Sequence, residues 1–301
     1  MFKNNRLIWL VILGLGLAVI CLRSPIITTL TGAKPAEAVI SLGEDLTPVQ
    51  KDRVMEYFKD WTKGKTLHYI SVSNEEERKY LEGVVDENLI GSRAISSAYC
   101  ELLDEGNGIE VQTENINAIT PFMYANALIT AGIEDARVVV AAPVEVSGTA
   151  ALTGIIKAFE EASGESLKEA NKYIAHEEMA QTSDLGKRIG QDQAEILIYE
   201  VKKKVAAEDI NDAEAIRKII VETSADLNIK LSERDLDRII ELMQKIQKLD
   251  LSVGQLGSQM QSLERRLDEM QNRGEEALGW FKQLKGVWDN LLQGIKKLLG
   301  A

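Results

Sequence analysis

Cysteine, histidine and proline are scarce in this sequence, and each scarcity narrows what the chain can be. Two cysteines occur in 301 residues, Cys21 and Cys100. Only Cys100 lies beyond the N-terminal segment described below, so the remainder can form no intramolecular disulfide. A chain of this length buries a core without one. The two histidines are His68 and His176. His176-Glu177-Glu178-Met179-Ala180 begins like a zinc-protease helix, but no second histidine follows four residues on, so the ligand pair cannot form. His68 falls in a predicted strand, where a structural or partly exposed role is expected. There is no Gly-x-Ser-x-Gly elbow, no phosphate-binding loop and no calcium loop of alternating aspartates. Carboxylates abound, yet spacing alone pairs no two of them for acid–base work. Cys100 is expected to pack in a strand beside Tyr99 and not to act as a nucleophile. No catalytic residue, metal or cofactor is expected, and the chain reads more readily as a binding protein than as an enzyme.

All five prolines (Pro25, Pro35, Pro48, Pro121 and Pro143) stand at or before residue 143, so nothing of that kind interrupts a helix in residues 166–301. Positive charge is also in deficit. Lysine and arginine number 35 against 47 acids, a net charge of -12. Residues 1–38 carry a net +3, which leaves -15 on the rest. Such a charge repels phosphate backbones and excludes nucleic acid as a partner.

What is present begins with an export signal. Lys3 and Arg6 precede an uncharged, apolar run at residues 7–22. Ala36-Glu37-Ala38 offers small residues to a signal peptidase, which predicts cleavage between Ala38 and Val39. The run is shorter than the ~20 residues that span a bilayer as a helix. The long approach at residues 23–38 keeps an uncleaved N-terminal membrane anchor open as the alternative. Either way the bulk of the chain is expected outside the cytoplasmic membrane, secreted or at the cell surface.

Residues 39–165 read as an α/β domain. Thr47-Pro48 predicts a helix over 49–61, and residues 67–72 alternate as a strand. Ser73 or Asn74 caps a helix that opens with Glu75-Glu76-Glu77. Residues 94–103 and 109–117 are two strands, which Gly106-Asn107-Gly108 joins in a hairpin. Thr120-Pro121 opens a helix that Gly132 stops. Residues 137–142 form a buried strand ended by Pro143, and Ser147 caps a helix to about residue 162. The whole predicts an α+β fold with a small mixed sheet, and its order of strands and helices is that of a ferredoxin-like βαββαβ unit.

Residues 166–301 read as helix almost throughout. Apolar residues at three- and four-residue steps run from Ile239, Leu242, Ile246 and Leu249 to Leu298, a coiled-coil pattern weakened at Gly254, Gly257 and Gly274. Two or three helices folded back, or self-association through them, fit that pattern better than one rod. The last segment, 275–299, is amphipathic. Trp280, Phe281, Leu284, Trp288, Leu291 and Ile295 share its apolar face, with Lys282, Lys285, Lys296 and Lys297 on the remaining surface. That face suits a protein partner or a membrane surface, and equally packing within the chain.

One loop remains. Ser147, Gly148 and Thr149 follow the buried strand and open a helix, where amides can hold an anion, and Arg93 could supply a cation. An extracytoplasmic hydrolase or small-molecule binder built on that loop is the alternative to a binding role. Tight helix–sheet packing with an ordinary cap explains the same residues.

Four stretches carry a resemblance. They are Val39-Ile40-Ser41-Leu42-Gly43-Glu44-Asp45-Leu46-Thr47, Gly91-Ser92-Arg93-Ala94-Ile95-Ser96-Ser97-Ala98-Tyr99, Met123-Tyr124-Ala125-Asn126-Ala127-Leu128-Ile129-Thr130-Ala131-Gly132 and the segment from Ala141 to Gly154. In these the chain resembles the YpuA-like family of exported proteins of Gram-positive bacteria, a domain of unknown function. The resemblance implies export and an N-terminal signal, and it implies no activity.

Overall fold

Residues 138–142, Val-Val-Val-Ala-Ala, are apolar on both sides, and a strand of that kind belongs inside a sheet covered on two faces. The computed structural model describes residues 37–84 and 87–249, and there the run forms part of β5 (Ala136–Val146). With β1 (Ala38–Gly43), β2 (Leu67–Val72), β3 (Ser97–Leu102) and β4 (Ile109–Ile116) it makes one sheet in the order β2-β1-β3-β5-β4. The outer pairs β1–β2 and β4–β5 are parallel; β1–β3 and β3–β5 are antiparallel. The fold is α+β with a mixed sheet, as the sequence predicts.

The ferredoxin-like order and the hairpin are both corrected. β5 lies between β3 and β4, so Gly106-Asn107-Gly108 does not join neighbours. The physical reason is polarity. Glu110, Gln112 and Glu114 line one face of β4 and stand opposite Arg137, Val139 and Ala141. A strand with a polar face tolerates the edge, whereas Val138 to Ala142 must be buried on both sides. The turn serves β5 instead: Gly108 donates to Asp135 Oδ1 at 2.6 Å, and Ala136 donates to Gly108 O. β1 is an inner strand, for which the sequence pattern alone predicts no element. Its last residue, Gly43, passes so close to the chain that a Cβ would lie 2.3 Å from Ala94 O.

Pro143 does not end β5. The β4–β5 register jumps from Glu114–Ala141 to Ile116–Val146, so Pro143 falls where the ladder asks for no donor. Asn115, at φ 59, turns this corner and donates to Ala142 O at 2.8 Å.

Helices cover both faces. α1 (Pro48–Thr62) starts on a Thr47–Gln50 capping box and buries Val54 and Phe58 against Ile40, Tyr99 and Val139. α2 (Asn74–Leu81) starts on a Ser73–Glu76 box and is followed by the short α3 (Glu87–Ile90). On the opposite face α4 (Pro121–Ala131), capped by Thr120, and α5 (Thr149–Ser163) pack on Val39, Ala98, Cys100, Val138 and Val140. The strands alternate between the two cores with the period of two that pleating dictates. α6 (Glu169–Ile189), α7 (Gln191–Ala207), α8 (Ala213–Asp226) and α9 (Glu233–Gln247) follow. Ala175 and Met179 of α6 and Ala206 of α7 join the core with α4 and α5, Ala180 of α6 meets Leu81 and Ile90, and the helical layer has a further core of its own. The first heptad positions, Ile239, Leu242, Ile246 and Leu249, are buried there against other helices of the same chain.

Among the described residues no helix is long and apolar enough to cross a membrane. The expected membrane or partner contacts Trp280, Phe281, Leu284, Trp288, Leu291 and Ile295 lie outside the described residues, as does most of the heptad. Of the expected signal cleavage pair, Ala38 and Val39, both are buried at the start of β1.

Candidate functional site

The loop at 147–149 is packed shut. Ser147 is not a helix cap: β5 runs on to Val146, and the N-cap of α5 is Gly148, with no side-chain bond to the helix. Gly148 sits at φ 93, and a Cβ there would stand 2.5 Å from both Ile116 Cγ2 and Tyr124 Oη. The buried Tyr124 hydroxyl donates to Gly148 O at 2.5 Å. Ser147 Oγ and Thr149 Oγ1 come together at 3.3 Å. Thr149 is 1% exposed. Arg93 is held elsewhere, at the end of β1, where its Nη2 donates to Asp45 O at 2.7 Å. The structure therefore brings Ser147, Gly148 and Thr149 together and anchors Arg93 to a different loop.

Beneath this loop lies a polar cluster that the sequence reading missed. Glu77 of α2 is fully buried and hydrogen-bonds the Thr149 side chain. Its Oε2 accepts from Asn74 Nδ2 at 3.3 Å, and its Oε1 has no hydrogen-bond partner. Burial pushes this carboxyl up to about 7, which the Thr149 and Asn74 hydrogen bonds and the more distant Arg78 charge only partly oppose. One turn along α5, Thr153 Oγ1 is 2.9 Å from His176 Nε2, and His176 Nδ1 is 2.7 Å from Lys172 O. Tyr80 stacks on the His176 ring at 4.5 Å. Burial pushes the histidine down to about 4. The i, i+3, i+4 spacing of Glu77, Tyr80 and Leu81 could have revealed this inward face; the run Glu75-Glu76-Glu77 hid it.

His176, Glu177 and Glu178 point to three different neighbours. His176 meets α5. Glu177 pairs with Lys245 of α9 at 2.7 Å. Glu178 pairs with Lys202 of α7 at 2.8 Å and accepts from Thr130 of α4. They tie helices together, and among the described residues no group of histidine, cysteine and acid side chains could hold a metal ion. Glu195 is another buried acid, pushed up to about 8 by burial, and accepts from Thr120 Oγ1 at 2.7 Å. Cys100 packs in β3 beside Tyr99, and burial pushes its thiol up to about 12. His68 lies on the edge strand β2 with Nδ1 2.8 Å from Glu161 Oε1.

A mixed sheet covered on both faces, extended by a helical layer and carrying a buried acid–threonine–histidine cluster, thus defines an α+β protein. Residues 42–263 match the family described as "Protein of unknown function (DUF1002)", and the chain belongs to that family. It is similar to the "Uncharacterized protein YpuA" of Bacillus subtilis (strain 168), at 35% identity over 94% of this chain and 97% of that relative. No solved structure matches it.

Proposed function

We propose that the protein is exported and acts in the cell envelope by binding a protein, a wall polymer or a membrane surface, without catalysis of its own. The observation that carries this reading is the closed loop. The residues best placed in the sequence for chemistry are spent on packing: Thr149 is buried under Glu77, and Arg93 serves the Asp45 loop. The signal-like N-terminus supports export. The Trp- and Lys-bearing segment at 275–299 supports contact with an anionic membrane surface.

Vesicle flotation tests the membrane arm. A chain beginning at Val39 is expected to float with phosphatidylglycerol-containing vesicles, and Trp280→Ala with Trp288→Ala to remain at the bottom. No flotation, with the purified chain also monomeric and inert towards envelope extracts, overturns the reading. The alternative, a hydrolase or small-molecule binder at Ser147–Thr149, requires α2 to move off Thr149. Ligand binding or turnover that is lost in Ser147→Ala with Thr149→Val would establish it.

A further inference from the structure

Helix α2 covers the first turns of α5, and the chemistry of that contact is unusual. Of three acids in the first turn of α2, Glu75 is exposed, Glu76 is half-buried and Glu77 is fully buried. A carboxylate taken that far from water needs a cation or several donors. No cation bonds Glu77; the Arg78 guanidinium acts on it only from a distance and is the smallest influence on its charge. Arg78, next along α2, bonds Asn74 Oδ1, Glu87 of α3 and Gly91 O. Lys79 pairs with Glu169 of α6. Lys157 of α5 bonds Glu76 and Ser71 O. Lys172 of α6 pairs with Glu160 and Glu169. The His176 ring is engaged by Thr153 and Lys172 O, and the Tyr124 hydroxyl of α4 by Gly148 O. Only neutral donors reach Glu77, the Thr149 hydroxyl and the Asn74 amide, and Oε1 has none. The geometry suits a protonated acid.

We propose that α2 is a proton-operated cover: it stays seated over Thr149 and the Thr153–His176 pair while Glu77 holds its proton, and lifts when Glu77 ionises. This holds whether or not the protein binds an envelope partner. Lifting exposes the hydroxyls of Thr149 and Thr153 and the face of His176 that Tyr80 covers. The ion pairs of α2 (Glu76–Lys157, Lys79–Glu169 and Arg78–Glu87) are at least partly exposed and weak by comparison, which leaves the Tyr80–His176 stack and Leu81, buried against Ile90 and Ala180, as the contacts that resist lifting.

The sign follows from linkage. The seated carboxyl titrates at about 7 and a solvated one at 4.5, so the seated state holds the extra proton. Seating is complete below pH 4.5, weakens as pH rises through 7 and then levels off. From pH 5 to pH 8 the opening equilibrium rises roughly 70-fold. Tyr124, raised well above its ordinary value by burial, stays neutral across this window. His176, pushed down to about 4, is neutral in the seated state, and lifting frees only one face of its ring, because Thr153 and Lys172 O hold both ring nitrogens from α5 and α6 and keep it neutral. Glu195 titrates within it, but it bonds Thr120 and therefore reports on α4 and α7.

Hydrogen exchange read by mass spectrometry tests the cover, with rates corrected for the intrinsic pH dependence of exchange. Protection of amides in residues 74–81 is expected to fall roughly 30- to 100-fold from pH 5 to pH 8 in the wild type, and to stay level in Glu77→Gln. A flat wild-type profile overturns the proposal, whatever the variant does. So does an equal fall in Glu77→Gln, or a fall matched by α8 amides, which would report global unfolding.

Discussion

Lys202 Nζ lies 2.8 Å from Glu178 Oε1, and neither side chain is more than 1% exposed. The ammonium also reaches Asn126 O at 3.0 Å and Thr130 Oγ1 at 3.1 Å. Burial lowers the lysine pKa, and the Glu178 charge opposes that shift. Removing one partner strands the other charge. Lys202→Met is expected to cost about 3–5 kcal/mol, and Lys202→Met with Glu178→Met much less. Urea unfolding at pH 7 checks this; a double variant as unstable as the single would count against it.

His176 sets an acid limit. Its ring is neutral in the fold, with a pKa of about 4 against an ordinary 6.5. The stability it contributes is fully present above pH 6.5 and is lost as pH falls towards 4. The loss is roughly 3 kcal/mol. Urea midpoints measured from pH 7 to pH 4 are expected to fall more steeply in the wild type than in His176→Gln.

Gly148→Ala meets three obstacles, a left-handed backbone and, each 2.5 Å from the new methyl, Ile116 Cγ2 and the Tyr124 hydroxyl. A loss of about 1–3 kcal/mol is expected. Tyr124→Phe added to it removes one clash, and a melting temperature that recovers in part identifies that contact as the cause.

Cys100 is buried, and its thiol titrates at about 12. In a Cys21→Ser background, Ellman's reagent at pH 8 is expected to leave Cys100 unmodified in the folded chain and to react with it in urea. Fast labelling without denaturant would contradict the packing of β3.

Local chemistry made several elements legible. Thr47-Pro48, Ser73 and Thr120-Pro121 each start a helix where expected, because a cap is satisfied by atoms three residues away. Ser147 failed as a cap for a tertiary reason. The corner it occupies is set by the β4–β5 register and the Tyr124 hydroxyl, which Gly148 accommodates. Glu77 and Lys202 were invisible as site residues. A charged side chain reads as solvated until the elements that bury it are placed.

By itself the sequence determined the α+β class, the helix starts at Thr47, Ser73 and Thr120, the proline-free helices that follow residue 166 among the described residues, and the membership that places the chain with proteins of unknown function. Each rests on neighbours along the chain or on the residues themselves. Only the tertiary structure decided that β5 enters between β3 and β4, that the loop at 147–149 is closed, and that Glu77 of α2 is buried with no cation bonded to it. Those outcomes depend on which surfaces meet, and burial is a property of the packed chain, not of a residue.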